Sequence, residues 1–160
     1  MYEKFGEFDT FGEINELAEN LFNEGDLKSI RILAKENGIP EDLAEMYIEG
    51  EIPYLCDAMM AAVGKIDVEA SEMKIQGLMI DWAEYIKAQC TDNAIMAYKV
   101  RNKGKSLSGC IAKHLEYSFG NQWNVPDEIK KKAKVSANRV TFGVPAMGEA
   151  KKIIKEYYME

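Results

Sequence analysis

Residues 10–26 have the sequence TFGEINELAENLFNEGD, and this stretch decides the fold class. Thr10 and Glu13 stand three residues apart, which is the spacing of a capping box at the start of an α-helix. Behind them, apolar residues recur at helical spacing along one face: Ile14, Leu17, Ala18, Leu21 and Phe22. Gly25 then ends the helix, and Asp26 can cap the next one. The stretch predicts a short helix, a glycine turn and a second short helix.

Similar helix-ending residues recur along the rest of the chain. The spacing predicts helices that end at Gly38, near Gly50 and near Gly64, and a strong helix over residues 70–90. Further short helices follow at 93–101, behind Ser106, behind Pro126 and behind Pro145. Arg139-Val140-Thr141-Phe142 has a strand-like composition, and Trp123-Asn124-Val125 can pair with it. We therefore expect a mainly α fold, a compact bundle of about seven to nine short helices with one small β-hairpin near residues 123–142.

Length and composition are those of an ordinary globular domain. The chain has 160 residues, of which 47% are hydrophobic and 29% charged, and this balance excludes wholesale disorder. No apolar run is long enough to cross a membrane, and the first residues do not resemble a secretory signal. Cys56, Cys90 and Cys110 have no disulfide-framework spacing and are expected to be free thiols. These features predict one helical domain over residues 1–160 of a cytoplasmic protein.

Charge is divided unevenly along the chain. Residues 1–98 hold seven lysines and arginines against 21 aspartates and glutamates, a net charge of −14. Residues 99–160 hold 13 basic and six acidic side chains, a net charge of +7. This division suggests charged partners, although the two regions could instead pack together and neutralise each other. Residues 101–106 are the best candidate for a hinge between them.

The third predicted helix carries the most concentrated acidic charge. Its acidic residues, and those just after it, are Glu41, Asp42, Glu45, Glu49 and Glu51. Because Glu41, Glu45 and Glu49 are four apart, they stack along one helical face, where like charges repel each other. A basic partner would relieve that repulsion, and a solvated acidic face is the alternative. The preceding helix–glycine–helix segment resembles a DNA-reading motif, but its acidic charge disfavours contact with DNA.

Two basic segments are candidates for binding an anion or nucleic acid. Their residues are Lys99, Arg101, Lys103 and Lys105 in the first segment, and Lys130, Lys131, Lys132 and Lys134 in the second. The first segment precedes a predicted helix whose N-terminal amides would favour an anion. Its Gly104-Lys105-Ser106 resembles the end of a phosphate-binding loop, but the first glycine of that motif is missing and no strand precedes it. A solvated turn is the alternative.

Catalytic and metal-binding patterns are weak. His114 is the only histidine, and it has no serine or acidic partner at a recognisable spacing. Together with Cys56, Cys90 and Cys110 it could supply four zinc ligands, and Cys110 and His114 stand four apart on one predicted helix. However, the four residues lie on three separate helices and form no Cys-x-x-Cys pair. We expect no metal, no cofactor and no enzymatic activity, and we expect these side chains to be buried in the core.

Five stretches resemble the PcfK-like family, whose members are small proteins of conjugative plasmids, mobile elements and phages. They read NEGD (23–26), AKENGI (34–39), LCDAMMAAVGK (55–65), RNKGKSLSGC (101–110) and AKKIIKEYY (150–158). The likeness spans roughly residues 10–158. Members of the family or their relatives are anti-CRISPR proteins that inhibit the type II RNA-guided DNA nuclease. No catalytic residues are implied by the resemblance.

The resemblance and the charge together suggest a function. The resemblance implies an anti-CRISPR inhibitor that binds the type II effector nuclease, with or without its guide RNA. That nuclease holds nucleic acid in a positively charged channel, to which an acidic surface would be attracted. We expect the five carboxylates at residues 41–51 to contact it. The alternative is an accessory protein of conjugative transfer that binds nucleic acid through the basic C-terminal region; the oligomeric state stays open in either case.

Overall fold

The computed structural model describes residues 3–160 and confirms the mainly helical fold. Within these residues it contains nine α-helices and one two-stranded antiparallel sheet. The elements in chain order are α1 (Phe11–Asn23), α2 (Leu27–Glu36), α3 (Glu41–Ile48), α4 (Ala58–Met73), α5 (Leu78–Asp92), α6 (Ala94–Arg101), α7 (Leu107–Gly120), β1 (Trp123–Asn124), α8 (Asp127–Lys132), β2 (Thr141–Phe142) and α9 (Met147–Met159).

Side-chain caps start most of the longer helices where the sequence indicates. At α1, the Thr10 hydroxyl accepts from the Glu13 N–H, and the Glu13 carboxylate accepts from the Thr10 N–H, which completes the capping box. Asp26 caps α2, and Ser106 caps α7 by accepting from the Gly109 N–H. The predicted helix starts at these positions are therefore confirmed.

The predicted end of a helix near Gly64 and the predicted start of the following helix at about residue 70 are wrong. Helix α4 runs through Gly64 to Met73 and ends where Lys74 adopts a left-handed conformation, with φ of 51°. Gly64 is needed for packing, because a Cβ there would overlap the backbone carbonyl of Asn37. Helix α5 begins only at Leu78, after Gly77 with φ of 57°.

The core consists of two hydrophobic clusters that share α4. One joins α1, α2 and α3 to the segment at Leu55 and to Ala61 on α4. The other joins α4, α5, α6, α7 and α9, with Ile66 of α4 at 1% exposure. Because α4 contributes neighbouring residues to both clusters, it connects them.

Buried polar side chains link these clusters. Arg101 is 1% exposed, and its Nε donates to the Phe8 carbonyl at 3.1 Å while its Nη2 donates to Asn37 Oδ1 at 3.0 Å. Lys65 on α4 is 0% exposed, and its Nζ lies 2.9 Å from Glu7 Oε1. The end of α6 is thereby fastened to the N-terminal segment and to the end of α2.

The small sheet lies where the sequence predicts a hairpin. Trp123 pairs with Phe142 and Asn124 pairs with Thr141, in antiparallel register. Helix α8 lies in the connection between the two strands. No helix within residues 3–160 is long and apolar enough to cross a membrane.

Candidate functional site

Helix α3 presents its acidic side chains to solvent because its apolar side chains face the core. Ala44 and Tyr47 are buried against α1 and α2, which leaves the remaining faces to charged residues. Glu41 and Asp42 lie in the first helical turn, where the helix dipole favours negative charge. Gly50, with φ of 77°, then turns the chain away from the helix.

The acidic row of Glu41, Asp42, Glu45, Glu49 and Glu51 is largely open. Four of the five are exposed; Glu45 alone is half-buried. Arg31 on α2 contacts both carboxylate oxygens of Glu45, with Nε 2.5 Å from Oε1 and Nη2 2.9 Å from Oε2. This hydrogen bonding lowers the pKa of Glu45. Among the described residues, the other four carboxylates form no ion pair.

Three lysines of residues 99–160 form ion pairs with acids of that same region, namely Lys113 with Glu116, Lys130 with Asp127, and Lys152 with Glu156. In the acidic row, the one ion pair among the described residues is also made within its own region, between Glu45 and Arg31. Glu41, Asp42, Glu49 and Glu51 therefore keep their charge available for a partner.

Arg101 does not contribute to an exposed basic segment, and its predicted role as an anion contact is wrong. Its guanidinium is buried and donates to Phe8 and Asn37 as described above. The loop that follows is also held in place, because Lys65 Nζ donates to the carbonyls of Asn102 at 2.8 Å and Lys105 at 2.6 Å. These contacts disfavour the interpretation of residues 101–106 as a hinge.

The N-terminus of α7 already holds an anion supplied by the chain itself. The Glu69 carboxylate accepts from the Leu107 N–H at 2.6 Å, and the Tyr157 hydroxyl accepts from the Ser106 N–H at 3.0 Å. Burial raises the pKa of Glu69, and the hydrogen bond from Leu107 opposes that shift. Lys105 donates to the Tyr157 carbonyl at 2.6 Å. These groups occupy the place that the sequence assigned to an external anion.

The remaining predicted basic contacts lie in separate places. Lys99 and Lys103 are exposed on either side of the buried Arg101. In the second segment, Lys130 is half-buried and bonds Asp127 at 2.6 Å and the Asn138 carbonyl at 3.0 Å. Three lysines there stay exposed, namely Lys131, Lys132 and Lys134.

The candidate catalytic and zinc-binding side chains are core residues. His114 is 0% exposed and stacks on Trp82, with ring centroids 4.0 Å apart. All three cysteine thiols are buried, and burial raises the pKa of each to about 12, so thiolate is scarce at neutral pH. No group of three potential metal ligands comes together anywhere in the described part of the chain.

A groove beside the acidic row was missed by the sequence reasoning. One face of α1 forms its first wall, and Tyr47 with the segment from Gly50 to Asp57 forms its second. Its volume is about 740 Å³. Phe22, which the periodicity assigns to the buried face of α1, is 42% exposed here. Gly50 and Pro53 give only a general signal for an exposed loop. The position of the second wall depends on long-range contacts, which the sequence does not show.

Asn15 holds the two walls of this groove together. Its side-chain Nδ2 donates to the Cys56 carbonyl at 2.8 Å, and its Oδ1 accepts from the Cys56 N–H at 3.0 Å. A single side chain on α1 thus satisfies both backbone groups of a residue 41 positions later. This contact anchors the second wall to α1 at Cys56.

Comparisons with protein-family models, with curated proteins and with solved structures found no match for this chain. The likeness to PcfK-like proteins accordingly stays a prediction from the sequence.

Proposed function

We propose that this protein is a non-catalytic, cytoplasmic inhibitor that binds the host's type II RNA-guided DNA nuclease through its acidic surface. The observation that carries the proposal is the open acidic row at residues 41–51, in which only Glu45 has an ion-pair partner among the described residues. The nuclease holds nucleic acid in a positively charged channel and reads a short DNA tag with arginines. A row in which four of five carboxylates form no ion pair in the described structure is complementary to such a channel.

The mechanism is electrostatic competition with DNA. Carboxylates spaced along a helix present negative charge in place of the phosphates of DNA. They attract a cationic surface over about one Debye length, ~8 Å at physiological salt. Long-range attraction of this kind accelerates association and weakens as salt is added. The family likeness supports the choice of the type II nuclease among cationic partners.

Lack of catalysis is part of the proposal and has its own support. The one histidine is buried in a stack with Trp82, and the thiols are buried with raised pKa values. None of these groups is accessible to a substrate in the described structure. Inhibition by binding requires only an accessible, complementary surface.

Co-purification tests the proposal. The full chain is mixed with a purified type II nuclease, with and without guide RNA, and the complex is followed by size-exclusion chromatography and by a DNA-cleavage assay. We expect a complex that forms at low salt, dissociates at high salt and cleaves DNA more slowly. A nuclease that neither binds the protein nor loses activity would contradict the proposal.

A second candidate function is nucleic-acid binding in conjugative transfer. It is favoured by exposed aromatic side chains on the two short strands, where Trp123 and Phe142 are 56% and 55% exposed. The chain that connects these strands carries the exposed lysines Lys131, Lys132 and Lys134. Aromatic rings and cations together bind single strands. A mobility-shift titration with a single-stranded oligonucleotide distinguishes the two: tight, salt-sensitive binding with no effect on the nuclease would favour this second function.

A further inference from the structure

We infer that the groove between α1 and residues 47–57 binds an arginine side chain carried by a loop of the partner protein. This inference deepens the proposed function and rests on it, because the groove opens beside the acidic row: Gly50 lines the groove and stands between Glu49 and Glu51. The acidic row attracts a cationic surface in general, whereas the groove selects one kind of cation.

Charge in the groove is of one sign. Glu16 and Glu19 are exposed on the α1 wall, and Asp57 lies on the opposite wall. Asp57 is partly engaged, because its Oδ1 caps α4 by accepting from the Met60 N–H at 2.7 Å. Among the described residues, none that lines the groove is basic, and neither Glu16 nor Glu19 forms an ion pair. The groove therefore lacks an internal counter-ion.

Aromatic rings in the groove are the second feature that suits an arginine side chain. Tyr54 is 67% exposed, and Phe22 contacts Tyr47 edge-to-face with ring centroids 5.9 Å apart. Burial, followed by the charge of Glu19, raises the pKa of Tyr47, so carboxylate and aromatic surface are close to each other. A cation between them would contact both the ring faces and the carboxylates.

Arginine fits this combination better than lysine does. A guanidinium is planar, stacks on aromatic faces and bonds a carboxylate through two parallel N–H groups. Glu16 and Glu19 lie three apart on one face of α1 and offer such acceptors side by side. A volume of about 740 Å³ is large enough for the side chain and the adjoining backbone of a loop. Because Asn15 anchors the second wall to α1 at Cys56, this part of the groove is formed before a ligand binds.

A peptide titration of the full chain tests this inference without the nuclease. The probes are hexa-arginine, hexa-lysine and hexa-glutamate peptides, followed by chemical-shift changes in ¹⁵N–¹H spectra. We expect hexa-arginine to shift resonances of the groove residues and to bind at least about threefold more tightly than hexa-lysine, while hexa-glutamate does not bind. Tyr54→Ala should weaken arginine binding about fivefold, and Glu16→Gln with Glu19→Gln by a similar factor.

Matched controls separate the groove from general electrostatic attraction. Tyr98→Ala removes a tyrosine that is 49% exposed on α6, away from the groove, and it should leave binding unchanged. Equal binding of the arginine and lysine peptides, or equal effects of Tyr54→Ala and Tyr98→Ala, would overturn the inference. The same variants are then tested on the nuclease: inhibition that survives the loss of Tyr54 and Glu19 would reject the groove and leave the proposed function standing. Arginine-peptide binding to the groove without any nuclease binding would reject the proposed function and leave the groove as an arginine-binding site.

Discussion

The guanidinium of Arg31 makes a two-point ion pair with the carboxylate of Glu45, and this pair removes one of the five charges of the acidic row. The two side chains come from successive helices, α2 and α3, and both are partly exposed. The pair therefore reduces the negative potential of the row at its centre. The charge of Glu45 becomes available to a partner only if Arg31 is displaced or removed.

Replacing Arg31 should strengthen binding to a cationic partner. In Arg31→Gln, Glu45 loses its counter-ion and the net charge of the surface becomes more negative. We expect nuclease binding to tighten about two- to fivefold at low salt, with most of the change in the association rate. Surface plasmon resonance at two salt concentrations measures this change. Lys35→Gln, an exposed lysine on the same helix, is the matched control for charge and should have a smaller effect; weaker binding of Arg31→Gln would contradict the account.

Gly64 should tolerate no side chain. A Cβ at this position would overlap the Asn37 carbonyl where α2 ends against α4, and both elements are held by the surrounding core. We expect Gly64→Ala to lower the free energy of unfolding by about 1–3 kcal/mol or more, as overpacking does. Urea unfolding followed by tryptophan fluorescence measures it. Gly148→Ala on α9 meets no atom within 4 Å and should be neutral or slightly stabilising, because alanine favours a helix more than glycine does. A similar loss of stability in both variants would contradict the packing role assigned to Gly64.

Lys65 should be a strong determinant of stability. Its ammonium is buried and bonds the carbonyls of Asn102 and Lys105 as well as the carboxylate of Glu7. Lys65→Met fills much of the same volume but leaves these acceptors and the Glu7 charge without their donor. We expect a loss of about 3 kcal/mol in the free energy of unfolding. Lys155→Met, the same change at an exposed position on α9, should cost little, and an equal cost for both would contradict the role assigned to Lys65.

The stability of the fold should fall in mild acid because of His114. Burial lowers its pKa below the ordinary value of 6.5, and hydrogen bonding to the Cys110 carbonyl opposes that shift in part. The unfolded chain therefore binds the proton more tightly than the folded chain does. The free energy of unfolding is expected to be unaffected by this group above about pH 6.5 and to decrease as the pH falls below it.

A phenylalanine variant isolates this contribution. His114→Phe keeps a ring to stack on Trp82 but cannot be protonated, so its stability should change less between pH 7.5 and 5.5 than that of the unaltered chain. Glu69 acts in the opposite direction at lower pH, because burial raises its pKa, but it is present in both proteins and cancels in the comparison. Equal slopes in the two proteins would contradict the assignment to His114.

Local signals in the sequence predict the helices but not their contacts. Thr10 with Glu13, Asp26 and Ser106 mark true helix starts because a cap is made with the next few residues. Gly64 has the same appearance as a helix-ending glycine, yet it lies inside α4, because the close approach of Asn37 comes from a different part of the chain. A glycine that ends a helix and a glycine required by close helix packing look the same in the sequence. They can be distinguished only when it is known which helices are in contact.

The candidate sites also differ in whether local sequence or long-range contacts determine them. The exposure of the α3 carboxylates follows from the period of Ala44 and Tyr47, which is a local property. Arg101 lies among lysines in the sequence, and its burial depends on Phe8 and Asn37, which lie 93 and 64 positions away. The arginine-binding groove depends in the same way on the contact between Asn15 and Cys56. Side chains defined by long-range partners were therefore the ones that the sequence assigned wrongly or missed.

Charge reversal of the acidic row tests the central claim most directly. The triple variant Glu41→Lys, Glu49→Lys and Glu51→Lys changes exposed residues that have no ion-pair partner in the described structure. Its control, Asp81→Lys, Asp92→Lys and Glu128→Lys, has the same net charge and changes exposed residues elsewhere. Both are compared with the unaltered chain in binding to purified nuclease at low and physiological salt. We expect the first triple to lose at least about tenfold in affinity and to stop inhibiting cleavage, and the control to retain both; unchanged binding and inhibition by the first triple would contradict the account.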